Sequence, residues 1–155
     1  MKLFVLFTSL TVFQFLPIAD SKGQIKKLEE APKQSIGKVG SAGATWIEMI
    51  KIGDSYSVIY QDVTYQQLTE FKSFTFKDID NAFEEFYKII SEGFNNPPKE
   101  DIKLDLPEDI IYLHFTSQLG IVSVQFIHVQ KKTNITGYSV YLTKRRLNKL
   151  FGKEN

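Results

Sequence analysis

The stretch IIYLHFTSQLGIVSVQFIHVQ, residues 110–130, decides the fold. Ile111, Leu113 and Phe115 alternate with Tyr112, His114 and Thr116. After a turn, Val122, Val124 and Phe126 alternate with Ser123, Gln125 and Ile127. A period of two with one apolar set is the mark of a strand lying half-buried in an antiparallel sheet. Setting Thr116 opposite Ile121 across Ser117–Gly120 brings the apolar residues to one face and places His114 opposite Ser123 and His128 opposite Asp109. A slip of one residue would expose the whole apolar set, so the face of each residue is well determined.

Working outward, Ile102, Leu104 and Leu106 alternate with Asp101, Lys103 and Asp105, a strand with one wet face. Ile135–Leu142 follows on the other side. Thr143 is placed to cap a last helix with apolar residues Leu147, Leu150 and Phe151, closed by Gly152. Before the loop Asn95-Asn96-Pro97-Pro98, apolar residues at Ile79, Ala82, Phe83, Phe86, Ile89 and Ile90 form a helical stripe. Asp78 and Asp80 stand at its start, and Gly93 is placed to end it. Upstream, Thr45–Ile52, Tyr56–Gln61 and Leu68–Phe76 are strand-like, the first two joined by the hairpin signal Gly53-Asp54.

The order is βββ-α-ββββ-α. It predicts an α+β domain with an antiparallel β-sheet and helices packed on one face. The buried face carries Ile111, Leu113, Phe115, Val122, Val124 and Phe126, joined by Ile102, Leu104 and Leu106 and by Tyr138, Val140 and Leu142. The opposite face carries Tyr112, His114, Ser123, Gln125, Ser139 and Tyr141.

The chain's beginning has a different character. Leu3–Leu16 is an uncharged apolar run of fourteen residues after Lys2, closed by Pro17 and followed by small residues. A membrane-crossing helix needs about 20 residues, so residues 1–23 read as a signal peptide, and the protein as secreted or periplasmic. Residues 24–44, with Lys26, Lys27, Lys33 and Lys38 against Glu29 and Glu30 and with Gly37, Gly40 and Gly43, read as a flexible leader with one strand-like addition around Val39. Residues 45–155 form the single folded domain. The chain has no cysteine, so it carries no lipoprotein anchor and no disulfide. The net charge of +1 points to no polyanion, and no nucleic-acid partner is expected.

Two histidines are the whole supply, His114 and His128. They fall far apart along the ladder and on opposite faces, which removes a two-histidine zinc site. His128 with Asp109 reads as a solvated edge pair at the margin of the apolar face. Asp101, Asp105, Glu108 and Asp109 lack the order of a calcium loop. No catalytic constellation, metal site or cofactor motif is present. The candidate ligand-binding surface is the polar, aromatic face with Tyr112, His114, Ser123, Gln125 and Tyr141, and the simpler reading of that face is the wet side of the sheet. The expected function is a non-enzymatic exported domain that binds an unknown protein, envelope component or small ligand. The alternative is a hydrolase or isomerase with a Tyr/His/carboxylate site. Lys144, Arg145, Arg146 and Lys149 on the last helix are where a weak contact with an anionic surface is expected.

The mature protein is expected to begin between Lys22 and Gln24. N-terminal sequencing of exported material checks this, and retention of Met1 after export overturns it.

Overall fold

The computed structural model describes residues 31–65 and 68–153. The expected signal peptide and residues 24–30 of the expected leader lie outside the described residues. The elements run β1 (Lys33–Ser41), β2 (Ala44–Ile52), β3 (Ser55–Asp62), β4 (Glu70–Lys77), α1 (Ala82–Asn95), β5 (Ile102–Asp105), β6 (Asp109–Gln118), β7 (Ile121–Gln130), β8 (Thr136–Tyr138), β9 (Leu142–Thr143) and α2 (Lys144–Leu150).

The α+β antiparallel class expected from the alternation is what the chain forms, but as two sheets. Strands β1-β2-β3-β4 make the first, and β5-β6-β7-β8 the second, with β9 also pairing with β7. The apolar faces of both sheets turn toward α1. Phe86 of α1 lies 6.3 Å from Phe74 and 5.5 Å from Phe76 on the first sheet, and 5.9 Å from Phe126 on the second. Phe74 and Phe126 meet directly across the gap, centroids 6.2 Å apart. One helix stripe therefore serves two sheets, and all three bury apolar surface in one core.

Four expectations are corrected. Residues 33–41, assigned above to a leader, form β1 on the edge of the first sheet. Val39 is buried and Ile36 packs against the core. Gly37, which composition counts toward flexibility, is where α2 crosses: a Cβ there would overlap the Lys149 carbonyl oxygen and stand 2.7 Å from that of Leu150. The glycine is needed for contact.

The β6–β7 hairpin closes with two residues, Leu119-Gly120, so that Gln118 opposes Ile121. Both turn residues have positive φ, 51° and 77°, the conformation whose twist suits a two-residue hairpin. The pairing is thus two residues away from that expected. Every side chain keeps its face, but His114 opposes Gln125, Thr116 opposes Ser123, and His128 opposes Ile111.

Gly93 does not end α1, which continues to Asn95. It is buried, and a Cβ there would collide with the Phe115 ring. At the other end Asp78 fulfils its expected role, its carboxylate accepting the Phe83 N–H at 3.1 Å.

The last strand is broken. Tyr138 pairs with Ile127 and so lies on the outer face, whereas Leu142 pairs with Val124 on the inner one. The switch is made at Ser139, which is fully buried and not on the wet face. Its hydroxyl accepts the Phe126 N–H and donates to the Val140 carbonyl, both at 2.9 Å, and so satisfies backbone groups freed by the irregularity.

Phe86→Ala is expected to cost about 3–5 kcal/mol, because the ring fills the junction of both sheets and the helix. Gly37→Ala is expected to cost about 1–3 kcal/mol, since backbone carbonyls cannot step aside for the methyl. Denaturant midpoints check both, and a change under about 0.5 kcal/mol in either overturns the corresponding packing account.

Candidate functional site

The five residues singled out from sequence all belong to the outer side of the second sheet, but the structure joins only some of them. His114 and Gln125 are cross-strand partners, and the His114 ring meets Tyr141 edge-on with centroids 6.4 Å apart. His114 Nδ1 lies 2.8 Å from Asp101 Oδ1, half-exposed. Gln125 is buried, its amide donating to the Ser139 carbonyl at 2.8 Å. Tyr112 stands two pairs further along, under the Lys103 ammonium at 5.9 Å. Ser123 opposes Thr116 and sits with Tyr141, Leu119 and Ile121 in a hollow of about 300 Å³ at the hairpin end. The face is a surface of separate polar contacts. Among the described residues, the side-chain hydrogen bond His114 makes is to Asp101, and no hydroxyl of that face bonds to it.

His128 corrects the edge-pair expectation. It is 1% exposed, among the rings of Tyr60 and Phe74. Its Nε2 lies 2.8 Å from Asp109 Oδ1, and its Nδ1 lies 2.9 Å from the Tyr60 hydroxyl. A carboxylate oxygen only accepts, so Nε2 carries a proton, and in the neutral imidazole Nδ1 accepts from the Tyr60 hydroxyl. Burial first, then the carboxylates of Asp62, Asp109 and Glu70, push the Tyr60 hydroxyl well above the ordinary tyrosine value, which keeps it a donor. Both ring nitrogens are consumed in a bridge from β3 to β7 and β6. Asp109 is reached diagonally, two residues from the direct opposite Ile111, where the expected register places it straight across.

Beside this bridge lies a second polar joint. Asp62 accepts from the Thr64 N–H and hydroxyl at 3.0 and 2.6 Å, from the Tyr138 N–H at 3.1 Å, and from the Lys72 ammonium. Lys72 also donates to the Thr136 carbonyl at 2.9 Å, and the Val63 N–H to the Tyr138 carbonyl at 2.9 Å. Burial opposes ionisation of Asp62, but the Lys72, Thr64 and Tyr138 donors outweigh it and hold the carboxyl down at about 2. The joint ties β3 and β4 of the first sheet to β8 of the second.

The concavity that sequence reading missed lies on the inner side. An apolar cleft of about 430 Å³ opens between β4, the first half of α1, and β5 with the turn after it. Phe74, Phe86 and Ile111 line it deep in the core, and Ile79, Ile89, Leu104 and Leu106 stand around it. These residues belong to the helix stripe and the β5 alternation. The apolar pattern is the same whether a partner covers it or not. Here Ile79 remains 65% exposed and Leu104, Leu106 and Ile89 only half-buried. Four charged residues border the cleft. Glu85 pairs with Lys88 at 3.5 Å, and Asp105 with Lys131 at 2.9 Å, which holds the Asp105 carboxyl below its usual range. Lys77 and Lys103 have no ion-pair partner among the described residues.

Among the described residues, no group of three or more metal-ligating side chains converges, and no helix is long and apolar enough to cross a membrane. Fold and cleft together define a two-sheet α+β domain with an apolar opening into its core. No known family, curated protein or solved structure matches the chain.

The Asp62 joint has a pH signature. The folded carboxyl, at about 2, lies below its ordinary value of 3.8. The stability it supplies is fully present above about pH 4 and is lost as pH falls toward about 2, for a total of about 2 kcal/mol. Denaturant midpoints measured down this range are expected to show the loss, and Asp62→Asn to flatten it. An unchanged profile in the variant overturns the assignment.

Proposed function

We propose that the protein is a non-enzymatic binding domain that takes the apolar part of a small anionic amphiphile, such as a fatty acid, into the cleft between β4, α1 and β5. The cleft carries this reading. Its volume falls within the range of small-molecule sites, and its wall is apolar with few polar groups, as such sites require. Lys77 and Lys103 at its border suit an acidic end left at the mouth, because the neighbouring carboxylates are already paired. Both strands beside the opening are the outer strands of their sheets, so a ligand can enter without breaking a ladder. Export through residues 1–23 to a secreted or periplasmic location belongs to the same proposal. The outer-face residues Tyr112, His114, Ser123, Gln125 and Tyr141 are the competing surface. Of these five only Ser123 and Tyr141 line a hollow, which is smaller than the cleft at about 300 Å³.

Titration with a fluorescent fatty acid tests this. The probe is expected to brighten on binding and to be displaced by unlabelled fatty acid. Ile89→Trp, which places an indole in the cleft, is expected to weaken binding at least tenfold with the thermal midpoint nearly unchanged. Binding that survives Ile89→Trp but is lost on His114→Ala or Tyr141→Ala overturns the cleft and restores the outer face.

A further inference from the structure

The end of the second sheet away from the cleft carries two features that folding does not ask for. The first is Leu119. It is fully exposed, at 103%, and sits at φ 51°, a conformation that costs a leucine more than the glycine or asparagine usual in such turns. Ile121, 60% exposed, follows after Gly120, and Tyr141 borders the hollow that Leu119 and Ile121 line. The second is the charge on α2. Because the helix begins at Lys144, the cations Lys144, Arg145 and Arg146 fall in its first turn, where the backbone dipole disfavours them. None of these three, nor Lys149, makes an ion pair among the described residues. Lys144 donates to the Asn95 amide oxygen at 3.0 Å, and Arg146 lies over the Trp46 ring at 5.1 Å.

The two features are neighbours. Thr143, at the head of α2, pairs with Ser123, which lines the apolar hollow together with Tyr141. Thr143 also lines a second hollow with Arg145, Arg146 and Lys149. Protruding aliphatic side chains, an amphipathic ring and uncompensated cations therefore share one end of the molecule.

We propose that this end docks on an anionic phospholipid surface. Leu119 and Ile121 enter the boundary of the acyl region, Tyr141 lies at headgroup level, and Arg145 and Lys149 meet lipid phosphates. The tip is convex. A protein partner would have to supply a matching cavity for it, whereas a fluid bilayer accepts protruding apolar groups of any shape. The charge is of the sign an anionic leaflet attracts, and neither contribution is large alone, which is the usual two-part basis of reversible membrane attachment. The surface is separate from the cleft, and the inference stands whether or not the cleft binds an amphiphile.

The absence of cysteine allows a site-specific test in the full chain. Leu119→Cys is labelled with a small environment-sensitive fluorophore, and Lys132→Cys, at the exposed turn after β7, serves as the control position. The label reports locally, so the apolar run Leu3–Leu16 does not confuse the reading. Vesicles of phosphatidylcholine with roughly one-third phosphatidylglycerol are expected to shift the emission at position 119 to the blue and leave position 132 unmoved. Pure phosphatidylcholine, raised salt, or the pair Arg145→Glu and Lys149→Glu is expected to raise the lipid concentration required at least tenfold. A label at 119 that stays in water, equal shifts at both positions, or indifference to the charge reversal overturns the proposal. A shift produced by polyglutamate without lipid also overturns it, in favour of an acidic polypeptide partner.

Discussion

Everything in the domain depends on one aromatic junction. Phe74, Phe86 and Phe126 come from the first sheet, the helix and the second sheet, and each ring touches the other two within 6.3 Å. Neither sheet has a second layer of its own, so an antiparallel sheet with one apolar face must find cover elsewhere. Here each sheet covers the other in part, and α1 and α2 cover much of the remainder. Remove that contact and two half-wet sheets remain, each with its apolar face in water.

Two polar joints then fix how the sheets meet. The Tyr60–His128–Asp109 bridge and the Asp62–Lys72 cluster both sit where β3 approaches β7 and β8. Apolar packing tolerates sliding, because one methyl group replaces another at small cost. Buried donors and acceptors do not, since a displaced partner leaves a polar group unsatisfied away from water. The joints therefore contribute position more than strength. They also use the side chains, a histidine, a tyrosine and two aspartates, that a search for catalytic chemistry would select first.

The alternation at 110–130 was legible because faces obey a period of two, and it survived a pairing two residues away from the expected one for the same reason. The helix stripe of Phe83, Phe86 and Ile90 was equally plain. What escaped was anything that depends on two distant segments meeting. Gly37 reads as flexibility until α2 is known to cross it. His128 reads as marginal until β3 brings Tyr60 beneath it. The cleft is invisible for a different reason: hydrophobic pattern tells which residues face inward, and cannot tell whether the space beside Leu104 and Ile89 is filled. Tyr112, His114, Ser123 and Tyr141 lie on the side of the strands expected, but Gln125 is buried, and at Ser139 and Tyr138 an irregular strand exchanged the sides.

The order of strands has a further consequence, in time. Apart from the pairing of β9 with β7, every strand is bonded to its neighbour in the chain. Hairpins of this kind close short loops, and chains rich in such local contacts lose little entropy before the contacts form. Each sheet can therefore assemble from its own segment without waiting for the other. Docking of the two sheets around α1 is what brings the core rings and the buried polar joints together. Within the ladders, the first four strands find their pairing partners among themselves, before any later strand is needed.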